Sequence, residues 1–397
     1  MNTLHLAIDD KFMPFAQKVF ETAFPSQNQF RVMRRPGGRK FIQPSPTVQF
    51  VSKAYWFSAK LKHDLQWADC VIIHFMTKWS ARAARIAPPH VLVVWEGWGA
   101  DYYPLLGEYS SQLHLPLTKD LLTKRNFGAF GRFHRLAALA DWLKSSLVDV
   151  VFRDWRRMVL PRLDVISMFP EEFEILKKSQ PNVRATRHQL HYFSAETSFQ
   201  PGPVVMEGPD VLLGNSASPT NNHLEAFEVL RSLELSGRKI IVPLSYGDRW
   251  YAEEICRRGK HLFGPRFVPL REYLSPVEYS NRLSTCGFVF MNHVRQEATG
   301  NVSIALLKGA KVFLRQKNLL TAFYKKFGAA LFEFPEIAPN QDAGKIFTPL
   351  SQTQKEVNRK IVTDFWAQEI VIRQTLLLSR LVQRHQEEGS QKESKVT

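Results

Sequence analysis

Carboxylates that close apolar strands are the residues of this chain best placed to move a proton. Asp9 and Asp10 follow the strand-like run Leu4–Ile8 directly. Glu96 and Asp101 lie in Trp95-Glu96-Gly97-Trp98-Gly99-Ala100-Asp101-Tyr102-Tyr103, after the apolar run Val91–Trp95. Two Trp, two Gly and an acid at a strand end make a pocket wall with an ionisable tip. A carboxylate so placed can act as general base on an acceptor hydroxyl. The bland alternatives are a tight Gly turn packed on a Trp, and two aspartates that cap a helix over Lys11–Phe24. His74, at the end of Cys70–Phe75, reads equally as a core histidine or a cleft residue.

A second constellation suits phosphate. Val211–Leu213 runs into Gly214, Asn215 and Ser216, and a helix begins a few residues later. Small residues, backbone N–H groups and a helix N-terminus then meet at the carboxyl edge of a sheet, where phosphate binds. Three more segments end strands on the same side: Pro243-Leu244-Ser245-Tyr246-Gly247, Asn292-His293 and Arg315-Gln316. The sharpest segment is Arg295-Gln296-Glu297-Ala298-Thr299-Gly300-Asn301-Val302-Ser303. There Gly300 allows close backbone approach and Glu297 can accept from a ribose or sugar hydroxyl. The alternative is an ordinary helix capped by Thr299 or Asn301. Tyr246 can stack on a base or merely fill a turn.

Other chemistries are poorly supported. There is no G-x-x-x-x-G-K-[ST], and no G-x-G-x-x-G near the Gly214 strand end. Also missing are H-E-x-x-H, C-x-x-C, G-x-S-x-G and an Asp-x-Asp in a suitable loop. A departing diphosphate must therefore be met by backbone N–H groups and by cations such as Arg249, Arg295, Arg315 or Lys317. No resident metal or cofactor is expected.

These groups need a scaffold. At 397 residues two domains are the natural expectation. In the first half, short apolar runs alternate with helical stretches, including Ala54–Leu65 and Arg132–Leu143. Punctuation by Pro and Gly over 179–209 marks the connection. The second half repeats the alternation through strands at 211–213, 239–243, 266–269, 287–291, 311–314 and 330–332. This predicts an α/β chain of two Rossmann-like domains facing a cleft. The expected boundaries are 1–200 and 210–350, followed by one long amphipathic helix over 354–385 and a disordered tail over 386–397.

The net charge of +16 asks for an anionic partner. No acid occurs between Glu21 and Asp64, while Arg31, Arg34, Arg35, Arg39, Lys40, Lys53, Lys60 and Lys62 do. Arg153, Arg156, Arg157 and Arg162 form a second patch. No nucleic-acid motif accompanies them, so an anionic membrane surface is favoured over nucleic acid. No run of 18 apolar residues exists to span a bilayer. The opening MNTLHLAIDDKF is charged too early for a secretory signal. Cys70, Cys256 and Cys286 have no metal or disulfide spacing and are expected to be buried. A cytoplasmic location follows as the default.

The runs LLGNSASPTNNHLEAFEVL, IIVPLSYGDRWYAEEI and QEATGNVSIALLKGAKVFL, with WGAD at 98–101 and the opening HLAIDD, resemble the bacterial Fuc4NAc transferases. These are GT-B glycosyltransferases of enterobacterial common antigen synthesis. The resemblance runs over residues 4–335 and is strongest in the second domain. It implies a dTDP-sugar donor held by the C-terminal domain and a polyprenyl-diphosphate-linked or other glycan acceptor held by the N-terminal one. It implies a peripheral enzyme at the cytoplasmic face of the bacterial inner membrane, with no bound metal. Gly214, Asn215, Ser216 and the helix start near Gly300 would hold the diphosphate. Tyr246 and Pro243 would flank the thymine, beside Ser245, Arg295 and Asn301. Asp101 is then the first candidate for base and Asp10 the second. The rival expectations are a nucleotide-sugar epimerase or hydrolase of the same fold, and a non-catalytic nucleic-acid or membrane binder using residues 31–62.

Overall fold

The computed structural model describes residues 1–34, 41–127, 155–197, 205–272, 274–334 and 343–393. The chain divides into two compact units. The first comprises Met1–Ser110, Leu136–Ser198 and Trp366–Thr397; the second comprises Ser111–Arg135 and Phe199–Phe365.

The first unit is built on a seven-stranded parallel sheet of order β3-β2-β1-β4-β5-β6-β7. Its strands are β1 (Thr3–Ile8), β2 (Asn28–Met33), β3 (Val48–Val51), β4 (Cys70–His74), β5 (Leu92–Glu96), β6 (Val165–Ser167) and β7 (Thr186–Arg187). The strands read as near-continuous apolar runs because helices cover both faces. Side chains alternate between the faces. Ala7, Phe30, Val32, Cys70, Ile72, Leu92, Val94 and Val165 pack in one core with Phe20 of the helix Met13–Ala23 and Leu378 and Val382 of the final helix.

The second unit has six parallel strands in the order β10-β9-β8-β11-β12-β13. They are β8 (Val211–Leu213), β9 (Ile240–Pro243), β10 (Phe267–Leu270), β11 (Phe288–Met291), β12 (Lys311–Leu314) and β13 (Phe332–Glu333). In both sheets the strand order reverses once, beside β1 and β4 in the first and beside β8 and β11 in the second. Such reversal points open a crevice at the carboxyl ends of the strands. Both Rossmann-like units are thus as expected.

Several details differ. Strand β2, unforeseen, runs through the basic stretch and turns Arg31 inward. Arg31 is 3% exposed and pairs with Asp64 at 2.7 Å, which also accepts from the Tyr55 hydroxyl. Arg31 is therefore a core cation, not part of a basic surface. Arg35, Arg39, Lys40, Arg153 and the expected helix at 132–143 lie outside the described residues.

The boundary expected near residue 200 also needs amendment, because the helix Pro116–Phe127 belongs to the second unit. The backbone N–H and hydroxyl of Thr118 donate to Glu225 at 2.9 and 2.7 Å. That carboxylate, from the helix His223–Ser232, takes up two donors of the first turn.

The single long closing helix is in fact two, Gln352–Phe365 and Gln368–Glu393. The Trp366 carbonyl accepts from Ala195 N–H at 2.8 Å, so it is lost to the helical ladder. The Glu196 carboxylate accepts from Gln368 N–H at 2.9 Å and starts the second helix. That helix continues into the segment expected to be a disordered tail.

Candidate functional site

At the reversal point of the second sheet, asparagines tie the strand ends together. Gly214 has φ +68°, and a Cβ there would lie 2.6 Å from Asn221 Oδ1 and 2.9 Å from His223 Nε2. Glycine is required on both counts. The Asn215 N–H donates to Asn221 Oδ1 at 2.9 Å, and the Asn221 amide donates to Ser216 Oγ at 3.2 Å. Asn215 spans β8, β9 and β11: its amide donates to the Tyr246 hydroxyl at 3.2 Å, and its Oδ1 meets His293 Nε2 at 3.1 Å. Asn222 and Asn292 exchange amide-to-carbonyl bonds at 3.3 and 2.8 Å. Asn318 holds the carbonyls of His293 and Arg295. Buried amides are costly unless paired, and here the pairing fixes the loop that follows β11.

That loop ends at the helix Thr299–Leu307. Its N-cap is Ala298, in the left-handed region at φ +60°, and no side chain caps the helix. Neither Thr299 nor Asn301 caps it. The Gln296 side chain bonds Thr299 Oγ1, and the Asn301 amide donates to Tyr279 at 3.3 Å. A Cβ at Gly300 would meet nothing within 4 Å. An uncapped helix N-terminus beside open space is a ready anion site.

Glu297 stands next to it, accepting from Thr220 Oγ1 at 2.6 Å and Arg295 Nε at 2.7 Å. Burial pushes its carboxyl up, but His293, Arg295 and Thr220 together outweigh this and hold it below the usual value. It is therefore a permanent acceptor near neutral pH. The Tyr246 ring is half exposed, and its backbone carbonyl accepts from Ala217 N–H at 2.8 Å. Ser245 is exposed and Pro243 is buried at the end of β9. Arg315 donates to Asn292 Oδ1 at 2.5 Å. Arg249 is exposed and pairs with Glu253.

In the first sheet the register places His74, Glu96 and Ser167 side by side on one face. His5 and Asn28 share that face on β1 and β2. The Asn28 amide donates to the Phe20 and Phe24 carbonyls, so its oxygen receives the His5 Nε2 proton at 3.1 Å. His5 Nδ1 must then accept from His74 Nε2 at 2.9 Å, and His74 Nδ1 from the Tyr192 hydroxyl. Burial drives both imidazoles well down, to about 3 for His5, so both are neutral. His74 is therefore a link in a buried polar row, not a cleft residue.

Asp101 is also committed. It is 1% exposed and accepts from Met76 N–H, Trp95 Nε1–H and Trp98 N–H at 2.8, 2.8 and 2.9 Å. A carboxylate occupied in this way clamps the β4 and β5 ends and is a poor base. Asp10 accepts weakly from Phe12 N–H at 3.4 Å, while Asp9 anchors the Phe41 and Ile42 N–H groups. Neither caps the first helix, whose N-cap is Phe12. Glu96, the remaining candidate, is buried with one oxygen, Oε2, that has no partner.

Residues 143–336 match the family described as 4-alpha-L-fucosyltransferase glycosyl transferase group 56. HepE of Anabaena, solved with UDP and glucose, is similar in structure with a TM-score of 0.60. It is 12% identical, over 94% of this chain and 98% of that one. Sucrose-phosphate synthase of Thermosynechococcus elongatus also gives a TM-score of 0.60, at 11% identity over 96% and 99% of the two chains.

The chain is a GT-B glycosyltransferase. The resemblance seen in the sequence is borne out over residues 143–336. Among the described residues of this glycosyltransferase, no group of three or more acidic, His or Cys side chains is arranged to hold a metal. No described helix is long and apolar enough to cross a membrane.

Sequence reasoning found the Gly214, Asn215, Glu297 and Gly300 neighbourhood of this glycosyltransferase. It missed Thr220, Asn221, Asn222 and Asn318, although the run SPTNNH was in view. It also missed Tyr192, which sits in the segment read as a linker.

Proposed function

We propose that this glycosyltransferase moves a 6-deoxy-acetamidosugar of the Fuc4NAc type from a dTDP-sugar to a lipid-linked glycan. One observation carries the donor half. The uncapped N-terminus of the helix Thr299–Leu307 has open space over Gly300, with Glu297 as a fixed acceptor beside it. The helix N–H groups suit a diphosphate, Glu297 a ribose or sugar hydroxyl, and the half-exposed Tyr246 ring a base. Arg295 and Arg315 at the same edge offset charge on the leaving diphosphate, so no resident metal is required. The nucleotide complexes known for HepE support a nucleotide-sugar donor.

Calorimetry against dTDP, UDP and GDP tests this reading. dTDP should bind most tightly, and Glu297→Ala should weaken it about 10- to 100-fold, the loss of a charged hydrogen bond. Binding of none of the three would sink the proposal.

The acceptor half rests on the first unit's surface. Phe57 is 60% exposed and lies edge-on to Trp79, with ring centroids 5.8 Å apart. Arg82 and Lys78 stand over these rings at 4.7 and 5.0 Å, and Lys53, Lys60 and Lys62 are exposed nearby in sequence. Aromatic rings among cations fit an anionic leaflet, where each cation contributes about 1 kcal/mol. This supports a peripheral enzyme on the cytoplasmic face of the inner membrane. Cosedimentation with anionic vesicles should fall several-fold in Lys78→Ala and more in Phe57→Ala. Equal binding to neutral vesicles would refute it.

A further inference from the structure

Among the described residues, three histidines stand around the reversal point of the second sheet, and they differ in access. His223 and His293 are fully buried, with one ring nitrogen on the Tyr251 hydroxyl at 3.3 Å and on Asn215 Oδ1 at 3.1 Å, respectively. His114 is partly exposed. It lies on the segment that leads into the helix Pro116–Phe127 and belongs, with that helix, to the second unit.

A segment without regular structure holds an imidazole in place only if its backbone is anchored. Here the anchor is the buried side chain of Asn222. Its Oδ1 accepts from the Leu115 N–H at 2.9 Å, and its Nδ2 donates to the Leu113 carbonyl at 3.1 Å. One amide thus grips the chain on both sides of His114. Asn222 lies in the left-handed region at φ +50°, which asparagine tolerates. Its backbone carbonyl accepts from the Asn292 amide at 2.8 Å. Asn292 follows β11 and opens the loop that carries Arg295 and Glu297. On the other side, Glu225 fixes Thr118 by two bonds. Two buried side chains therefore set the backbone around His114, while no described residue hydrogen-bonds its ring.

The charges that act on this ring come from two other elements. Arg295, in the loop after β11, is the stronger and disfavours a proton on the imidazole. Glu225, on the helix His223–Ser232, favours one but is already occupied by Thr118. Glu297, beyond Arg295, is paired with that guanidinium at 2.7 Å. Leu113, Leu115 and Pro116 beside it carry no charge. Burial first and Arg295 second hold His114 below its usual value, so the ring is neutral near pH 7. An anion entering beside Arg295 reverses this balance, because an opposite charge nearby favours the charged form of a base.

We propose that His114 is a further residue of the donor site: its imidazole binds the diphosphate of the nucleotide and takes up a proton from solvent as it does so. This rests on the donor reading above. The imidazolium and Arg295 then face the diphosphate when its oxygen parts from the anomeric carbon and the electron pair leaves with the nucleotide. When the nucleotide departs, the proton returns to solvent. Asn222 is a positioning residue.

The sign follows from linkage. The complex holds more protons than the free protein between the resting and bound values of His114, so dTDP affinity falls as pH rises through that window. The terminal phosphate of dTDP is itself almost fully charged above about pH 7, so the effect is read from about pH 7 to 8.5.

The test is dTDP calorimetry on the full chain, in buffers of different ionisation enthalpy and across that pH range. Wild type should take up about half a proton per dTDP bound near pH 7.5, and its affinity should fall at least about threefold across the range. His114→Gln should bind about tenfold more weakly at the lower pH, with no uptake and no pH dependence. His114→Lys, charged beforehand, should recover most of that affinity and take up no proton. Thermal melts of both should stay within about 2 °C of wild type, since the Asn222 bonds are to backbone. Unchanged uptake in His114→Gln, or affinity within about twofold of wild type at the lower pH, would overturn the assignment. A wild-type protein that binds dTDP without taking up a proton would overturn it whatever the variants do. A wild type that binds no dTDP would instead overturn the donor reading, and this inference with it.

Discussion

The two sheet edges are built alike and left open differently. At the reversal point of the second sheet, Asn215, Asn221, Asn222, Asn292 and Asn318 satisfy one another and the strand ends. What stays open there is backbone, the start of the helix Thr299–Leu307. At the first sheet's edge, backbone and Asp101 are joined, and a side-chain atom stays open, Glu96 Oε2. Unpaired N–H groups of a helix cannot change charge, so they suit a permanent anion. An unpaired carboxylate can change charge. The two edges thus differ in the kind of group each leaves open, backbone donors in the second sheet and a carboxylate oxygen in the first.

Two glycine substitutions sharpen this contrast within the second unit. Gly214→Ala should be the larger in its effect on the fold. Its Cβ has no room beside Asn221 and His223, and φ is +68°, so a loss of about 3 kcal/mol is expected. A thermal melt equal to wild type would show that the asparagine lattice is soft. Gly300→Ala should leave stability unchanged or raise it by up to about 0.5 kcal/mol, since a helix gains from alanine and no atom is near. Its effect should appear only in calorimetry, as about tenfold weaker dTDP binding. Undiminished affinity would move the diphosphate away from that helix.

Much of the second unit was legible because its strands are short apolar runs punctuated by Gly, Pro and Asn. The helix start at Thr299 was legible too, since Gly300 and Glu297 mark it. The partners were not. Glu297 is tied to Thr220, 77 residues away, and Asn215 to His293, 78 residues away, and no local pattern encodes such pairs.

The first unit was read less well. Asp101 and Glu96 are equivalent as residue types, and only packing shows that one is spent and the other is not. Arg31 looked like surface charge because its partner Asp64 lies 33 positions on. The break at Trp366 contains neither Gly nor Pro; it arises from contacts to Ala195 and Glu196. Local propensity has no access to it.

The path of the chain has a consequence for how the molecule is made. The first sheet is complete in sequence by Arg187, yet one of its faces is covered by Leu378 and Val382, which emerge about 190 residues later. The helix Pro116–Phe127 likewise emerges long before Glu225, the carboxylate that takes up donors of its first turn. Neither unit can therefore mature as a closed segment during synthesis, in contrast to domains that fold in chain order. The same interleaving bears on the exchange of sugar preference between relatives. A transplanted second unit must bring residues 111–127 with it, and a C-terminal truncation at Trp366 would strip the first unit, not the second.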